Sequence, residues 1–498
     1  MADRVTAYHM EQCLVVWSYI SKKGKIMRLK KRKCVALSAM LVGLSAFAGV
    51  ASAAVPTDAE KALARQEAAV QGKNLQDTAA KLAHSTVQLT GIELAPGSAV
   101  DEHRLKSLVP ALARPAVDIQ ELARQLALYN DGSALKITVR FRPDGADAYR
   151  AVVSVKEGQK NHFGLQGSNT GTEYTGGYRA TLSWLNGNLS GCGDTLAVAV
   201  TGSPGHWSDV KQAALAYRVP LPHIGDMLSL TASTAKTELE DIDKGLPFNL
   251  SDEGRSSRVG LHYEHYFKHS SRDTDILDFG ADYHKSKSDG ELRVAGITVP
   301  FAHYNVDHTD LMLAFRHRDQ SAGHRFSCSV GARTNLTGDR QQFQAMTSTA
   351  NRNYCLLTGS LGYLVRAQGD WLVNVRGIGQ YAQQKLIGCE KFSIGGQDTV
   401  RGFDMNVLSA DSGAAGSLEI YTPQLAKGLR LLAFTDIGYL HDNADGTDNV
   451  TLSSAGAGLR YQQGAFSASL DYAAVIHEPD SVKDTTHRRW NFWAGLYF

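Results

Sequence analysis

The chain has 498 residues, of which 20% are charged and 43% hydrophobic, with 47 glycines and 12 prolines. This globular composition excludes a disordered or collagen-like chain, and the mean hydropathy of -0.24 excludes a bundle of transmembrane helices. Residues 1–53 contain nine Lys/Arg and two Asp/Glu, which leaves 43 basic and 48 acidic residues elsewhere. A mildly acidic body argues against a nucleic-acid partner.

Residues 1–53 have the pattern of an export leader. A basic cluster at 30–33 precedes an apolar run at 35–50, and the run ends in Ala51-Ser52-Ala53. Small residues at this spacing are what a signal peptidase requires, whereas a transmembrane anchor is the alternative. We predict a signal peptide at 27–53. The sequence leaves open whether translation starts at Met1 or at Met27.

Residues 54–84 predict one helix with little apolar surface. Thr57 followed by Glu60 forms a capping-box pattern, and the apolar positions after it are sparse. Such a helix is either a linker or a loosely held plug, and the sequence leaves both open.

Residues 85–158 predict a small α/β domain with the order β-α-α-β-β. Val87, Leu89 and Ile92 indicate the first strand, and two helical segments follow on either side of Pro115. Residues 135–142 then alternate apolar and polar, and residues 151–155 complete the domain.

The pattern changes at residue 159 and stays changed to residue 498. Segments of about ten residues alternate apolar and polar positions, with short and long connections in turn. A soluble β-sandwich would bury the apolar face, whereas a transmembrane barrel would turn it to lipid. At roughly 21 residues per strand with its connection, this length predicts an antiparallel barrel of sixteen strands.

The last strand favours the membrane barrel. Its apolar positions share one face, and the final residue belongs to them: Trp490, Phe492, Ala494, Leu496 and Phe498. Such an end resembles the assembly signal of bacterial outer-membrane barrels. It also fits closure, because every strand in lipid must be paired.

Two motifs resemble a known superfamily. The segment Gly395-Gly396-Gln397-Asp398-Thr399-Val400-Arg401-Gly402-Phe403 is similar to the GGxxxVRG[FY] loop of barrels that carry periplasmic POTRA domains. Phe434-Thr435-Asp436-Ile437-Gly438 resembles their F-x-D-x-G strand motif. The barrel start at 163–196 is similar to that of the two-partner secretion transporters, the haemolysin secretion/activation proteins of the ShlB/FhaC/HecB type.

The resemblance implies an outer-membrane pore that exports an unfolded exoprotein of the haemolysin, haemagglutinin or adhesin type. It implies a periplasmic POTRA domain that captures this passenger at the edge formed by Val87, Leu89 and Ile92. It also implies that Arg401 meets Asp436 inside the lumen. The family usually carries two POTRA domains, and here only one fits between the leader and the barrel.

The resemblance further implies the other partners. These are outer-membrane lipid and lipopolysaccharide, and the barrel-assembly machinery during biogenesis; we expect a monomer. The polar face carries charges that we expect to line the lumen and to hold a sliding chain weakly: Arg179, Glu264, Arg376 and Arg460.

We find no pattern for catalysis or for a cofactor. The nucleotide loop GxxxxGK[ST], the GxSxG elbow and the HExxH motif are absent from the sequence. His262 points to the opposite face of a strand from His265 and His269, so we predict no metal site there. No CxxC pair occurs, and the disulfide state of the four later cysteines stays open: Cys192, Cys328, Cys355 and Cys389.

Two other functions stay open beside export. A barrel-assembly factor of the same superfamily usually brings several POTRA domains. A diffusion porin would need neither the domain at 85–158 nor the loop around Arg401.

Overall fold

The computed structural model describes residues 86–145, 147–172, 175–239, 248–270, 272–294, 297–443, 449–480, 482 and 487–498. The predicted leader, its signal peptide and the helix at 54–84 lie outside the described residues. Within the described part, none of the helices has the length and apolar character needed to cross a bilayer.

An N-terminal α/β domain precedes the barrel. Its elements follow in this order: β1 Thr86–Leu94, α1 Glu102–Leu108, a 3-10 turn Pro110–Ala113, β2 Ala116–Asp118, α2 Ile119–Asn130, β3 Leu135–Pro143 and β4 Ala148–Glu157. Asp118 begins α2 because its side chain accepts hydrogen bonds from the backbone N–H groups of Gln120 and Glu121. Leu105, Leu122 and Leu128 pack with sheet residues to form the buried core.

The sheet of this domain differs from the expectation at its first strand. The strand order is β2-β1-β4-β3, so β1 lies inside the sheet rather than at its edge. Val87 is buried and pairs with Val117 of the short strand β2, which the sequence analysis did not predict. Strand β2 pairs with Thr86–Gln88, and Leu89 N–H donates to Pro115 O just before β2, so only the first half of β1 is covered on this side.

Sixteen strands form a closed antiparallel barrel, as predicted. They are β5 Asn161–Ser168, β6 Arg179–Asn186, β7 Thr195–Gly202, β8 Val210–Leu221, β9 Asp226–Leu239, β10 Phe248–His269, β11 Asp273–Val294, β12 Ile297–Gln320, β13 His324–Asn335, β14 Cys355–Arg366, β15 Leu372–Ala382, β19 Ser412–Tyr421, β20 Leu429–His441, β21 Val450–Gln463, β22 Phe466–His477 and β24 Trp490–Tyr497.

The remaining elements belong to the loops of the barrel. The strands β16 Phe392–Ile394 and β18 Leu408–Ala410 pair with each other, as do β17 Gly402–Phe403 and β23 His487–Arg488. Helix α3, Arg340–Met346, lies between β13 and β14, and Asp339 caps it. Single 3-10 turns occur at Gln368–Asp370 and Gly388–Glu390.

The apolar stripe of the strands points outward. Leu182 is 59% exposed, Phe267 60% and Phe498 62%, and on β20 Asp436 and Gly438 face inward while Ile437 faces outward. A soluble sandwich would bury these side chains. The closed barrel, with apolar residues outside, is the arrangement that a bilayer requires.

The first and last strands close the barrel. Strand β24 pairs antiparallel with β5 between Trp493↔Ser168 and Tyr497↔Gly164. The outward side chains of Trp490, Phe492, Leu496 and Phe498 lie on this seam or next to it. Closure leaves no free barrel edge in the lipid.

One end of the barrel, here called the near end, lies against the N-terminal domain. Met227 and Tyr266, beside short turns, belong to the same buried cluster as the domain core. Gly193 in another such turn has φ 77°, a conformation that favours glycine. Strands β10, β11 and β12 are 22, 22 and 24 residues long, and they extend away from the domain towards the far end.

Candidate functional site

The connection between β15 and β19, residues 383–411, folds into the barrel; we call it the inner loop. It carries the motif predicted at 395–403. The pairing of β16 with β18 gives the inner loop a hairpin of its own. The pairing of β17 with β23 ties it to residues 487–488.

Apolar packing holds the inner loop against the wall. Val400 and Phe403 are fully buried in a cluster with Ile394 and the wall residues Leu440 and Leu452. Burying a side chain of this size contributes about 1.5–3 kcal/mol. The lumen here is therefore partly apolar, although the alternation alone predicted a polar interior.

Gly438 explains how the inner loop can come so close. A Cβ at this position would lie 2.9 Å from Val400 Cγ2 and 3.0 Å from Ile394 Cδ1. Because Gly438 has no side chain, the strand leaves a space here, and Val400 and Ile394 of the loop fill it. On the loop itself, Gly395, Gly396 and Gly402 all have positive φ, as the tight turns require.

The structure brings Arg401 and Asp436 together. The Nε and Nη2 groups of Arg401 donate to Oδ2 and Oδ1 of Asp436 at 2.7 and 2.8 Å, which is a bidentate pair. The backbone N–H of Arg401 donates to the same carboxylate at 3.1 Å. The guanidinium also lies over the ring of Phe434, with Cζ 3.5 Å from its centre.

Two further acids complete the site. Arg401 Nη1 lies 2.8 Å from Glu419 Oε1 and 3.4 Å from Asp471 Oδ2, and Nη2 donates to Ser417 Oγ at 3.1 Å. The sequence analysis missed Glu419 and Asp471. Their inward parity on β19 and β22 was available as a signal, but the pattern does not say which inward acids lie at the same height.

The charges of the site balance. Arg376 lies 3.5 Å from Glu419, and Arg460 donates to Asp471 at 3.0 Å. Three guanidinium groups thus face three carboxylates, and Arg401 is 1% exposed. Removing any one of these groups would leave an uncompensated charge in a confined space.

A cavity of about 850 Å³ lies on the near side of the inner loop. Four arginines line it: Arg325, Arg376, Arg430 and Arg460. A smaller cavity of about 370 Å³ reaches Arg401 and Asp398. The site is therefore a folded loop above a basic chamber, which residues of β13–β15, β19–β22 and β24 line.

The other predicted residues lie elsewhere. Val87, Leu89 and Ile92 belong to the N-terminal domain, and the aromatic positions of β24 lie on the outer surface. Arg179 donates to Thr175 and Ser203 near the far end, whereas Glu264 pairs with Arg218 and Arg316 on the inner wall. The structure does not bring these groups to the Arg401 site.

The three histidines of β10 contact separate sets of acidic side chains. His262 contacts Asp278 and Asp282, and His265 contacts Asp226. His269 lies 3.6 Å from Asp131. The four cysteines of the described chain are unpaired: Cys192, Cys328, Cys355 and Cys389.

Comparisons with known proteins agree with this architecture. The model of the family described as "Haemolysin secretion/activation protein ShlB/FhaC/HecB" matches residues 150–461. The structure of CdiB from Escherichia coli is similar with a TM-score of 0.69 at 16% identity, over 83% of this chain and 76% of that one. CdiB from Acinetobacter baumannii gives 0.67 at 18% identity, over 83% and 74%. A search of curated protein sequences found no match.

Proposed function

The chain belongs to the haemolysin secretion/activation family of two-partner secretion outer-membrane transporters, and we propose that it exports an unfolded exoprotein of the haemolysin, haemagglutinin or adhesin type. The observation that carries this proposal is the inner loop, which is fixed inside the lumen through Arg401 and lies directly above a basic chamber. A chain that passes through the barrel must pass this loop.

The inner loop is proposed to support transport by changing its place. On the wall formed by β19–β22, one apolar cluster and one balanced ionic site hold the part of the loop that carries the motif. The beginning of the loop packs separately against β12 and β14 through Leu386 and Ile387. Packed contacts of this kind favour discrete states over gradual deformation. Release of Arg401 from its three acids would free the part of the loop around 395–403 while leaving the strand ladder paired.

The passenger is proposed to enter through the N-terminal domain, which would lie in the periplasm. Strand β2 pairs with Thr86–Gln88, and Leu89 N–H donates to Pro115 O. The part of β1 that contains Ile92 is therefore the stretch where an extended segment could be added. Val87 itself is buried and paired, and so this proposal shifts the capture site along β1.

The chamber is proposed to carry the chain as a hydrated strand. Polar and charged walls leave backbone amides solvated, and exposed ion pairs in water are weak enough to exchange. Folding of the passenger outside the cell would supply the energy, since the sequence has no nucleotide-binding loop. We propose a monomer in contact with lipopolysaccharide, inserted by the barrel-assembly machinery through its last strand.

The test is export of a large exoprotein encoded next to this gene, scored outside the cell for wild type, Arg401→Ala and Arg316→Ala. Arg316 is a matched control, because it is an inner-wall arginine paired with Glu264 and Asp278 on another part of the barrel. We expect export to fail for Arg401→Ala alone while both variants fold. Unchanged export with Arg401→Ala would show that the loop only stabilises the barrel.

The same experiment separates the other functions. Defects in many outer-membrane barrels on deletion, with the exoprotein still secreted, would indicate an assembly factor. Diffusion of small solutes without dependence on the exoprotein would indicate a porin.

A further inference from the structure

A second polar cluster joins the inner loop to the opposite wall. It consists of His284 on β11, His308 and Asp310 on β12, and Glu390 in the 3-10 turn at Gly388–Glu390. One ligand atom from each of these four residues lies within 4.8 Å of the other three. The side chains of Asp310, His308 and Glu390 are between 0% and 2% exposed.

The donor atoms converge on one oxygen. Glu390 Oε1 lies 3.3 Å from His308 Nε2 and 3.6 Å from His284 Nδ1. The two imidazole rings stack with centroids 4.8 Å apart and planes at 10°. In a tetrahedral zinc site with bonds of about 2.0–2.1 Å, ligand atoms lie roughly 3.4 Å apart. The two distances to Glu390 are already near that spacing, and the remaining ligand atoms, within 4.8 Å of one another, would move together on binding.

Neighbouring side chains hold both carboxylates in place. Arg333 contacts Glu390 Oε2, and its Nε lies 3.3 Å from Asp310 Oδ2. Tyr354 donates its hydroxyl to Asp310 at 3.0 and 3.1 Å. Outer contacts of this kind orient carboxylates towards a bound ion.

Charge and hydrogen bonding both leave room for a cation. With neutral imidazoles, two carboxylates face one guanidinium, so the cluster carries one uncompensated negative charge in a buried place. Two ring nitrogens, His284 Nε2 and His308 Nδ1, have no hydrogen-bond partner among the described residues. They are not the nitrogens that face Glu390, which are His284 Nδ1 and His308 Nε2. Each ring can therefore keep its proton on the second nitrogen while the first binds a cation.

We propose that His284, His308, Asp310 and Glu390 bind one divalent transition-metal ion. Two imidazole nitrogens with two carboxylate oxygens form a set that suits Zn²⁺. Because Glu390 belongs to the inner loop and the other three ligands belong to β11 and β12, the ion fastens the loop to a wall that Arg401 does not reach. This inference goes beyond the proposed export function and stands independently of it.

The test uses the full chain purified in detergent and stripped with a chelator. Titration with Co²⁺ should give the visible absorption of a four-coordinate ion at one equivalent per chain, and Zn²⁺ should abolish it. In the double variant His284→Ala/His308→Ala this absorption should be lost, or the affinity should fall at least roughly 10–100-fold. The matched control is His265→Ala/His317→Ala, whose histidines pair with Asp226 and Asp275 elsewhere on the barrel; it should bind like wild type.

A second variant covers failure of the double alanine variant to fold. Glu390→Gln keeps the size of the side chain and removes its charge, and it should weaken Co²⁺ binding by a similar factor. If wild type takes up no metal, or if Glu390→Gln and the control bind equally well, the cluster is an ion-pair network only and the proposal is overturned.

Discussion

Phe163 and Phe498 exchange two backbone hydrogen bonds, from Phe163 N–H to Phe498 O at 2.7 Å and from Phe498 N–H to Phe163 O at 2.9 Å. Their rings also stack, with centroids 6.0 Å apart. Phe498 is thus part of the seam that closes the barrel.

Deletion of Phe498 should weaken closure. It removes both backbone hydrogen bonds, and leaving such groups unpaired next to lipid costs about 1–3 kcal/mol each. We expect a smaller fraction of folded barrel after refolding, measured by the shift in electrophoretic mobility on heating. Phe466→Ala, an outward ring on β22, is the control, because it leaves the seam's hydrogen bonds in place. Equal folding of both variants would argue against a role for Phe498 in closure.

Arg401→Ala should release the inner loop without unfolding the barrel. The change leaves Asp436, Glu419 and Asp471 without their shared cation, which weakens the packed state of the loop by about 3–5 kcal/mol. Protease added to the folded protein should therefore cut within 383–411 faster than in wild type. Arg401→Lys should not restore protection, because an ammonium cannot form the bidentate pair with Asp436. Full protection in Arg401→Lys would show that charge alone holds the loop.

Gly438→Ala should displace the inner loop through sterics alone. The added methyl group would meet Val400 and Ile394 at 2.9–3.0 Å, and overpacking of this kind costs about 1–3 kcal/mol. The measurement is again cleavage of the loop. Gly416→Ala is the control, since its added Cβ has its nearest contacts at 3.7 and 3.8 Å. Cleavage that rises equally in both would point to a general loss of stability instead.

Asp131 should link the N-terminal domain to the barrel in a pH-dependent way. It follows α2 and pairs with Arg318 at 2.7 Å near the end of β12. Burial alone would raise the pKa of Asp131, but the neighbouring His269 and Arg318 outweigh it and hold the pKa well below its usual 3.8. A lowered pKa in the folded state means that this contact stabilises the docked domain above about pH 4 and is lost as the pH falls further.

Spin labels on the domain and on the barrel can measure this docking. We expect a broader distance distribution for Asp131→Asn than for wild type at neutral pH, and a similar broadening in wild type under strongly acidic conditions. Asp144→Asn is the control, because Asp144 pairs with Arg150 inside the domain and does not touch the barrel. A distance distribution that changes neither with pH nor with Asp131→Asn would contradict the prediction.

Local patterns were sufficient for the barrel. Two-residue alternation fixes which side chains face lipid, and the length of the region, at roughly 21 residues per strand with its connection, indicated sixteen strands. Phe498 lies outside as predicted, and Leu182 and Phe267 lie outside on the same apolar face of their strands. The motifs at 395–403 and 434–438 pointed to a contact between Arg401 and Asp436 only through the resemblance, since 35 residues separate the two side chains.

The remaining contacts depend on register, which alternation does not specify. Glu419 and Asp471 reach Arg401 because β19, β20, β21 and β22 are aligned at one height. The short strand β2 has three residues, too few for a recognisable period, and its pairing moved β1 into the sheet. The cluster around Glu390 combines two strands with a loop that lies far from them in the sequence, so no spacing of residues predicts it.

The unequal strand lengths give the far end of the barrel a slanted rim. About 9–11 residues suffice to cross the hydrocarbon layer, so about half of each of β10, β11 and β12 stands beyond it, whereas β6 and β7 have eight residues each. A polypeptide leaving the lumen would meet the long strands β10–β12 on one side and solvent on the other. The polypeptide would therefore leave the barrel towards the side of the short strands, because the long strands block the other side before the polypeptide has folded.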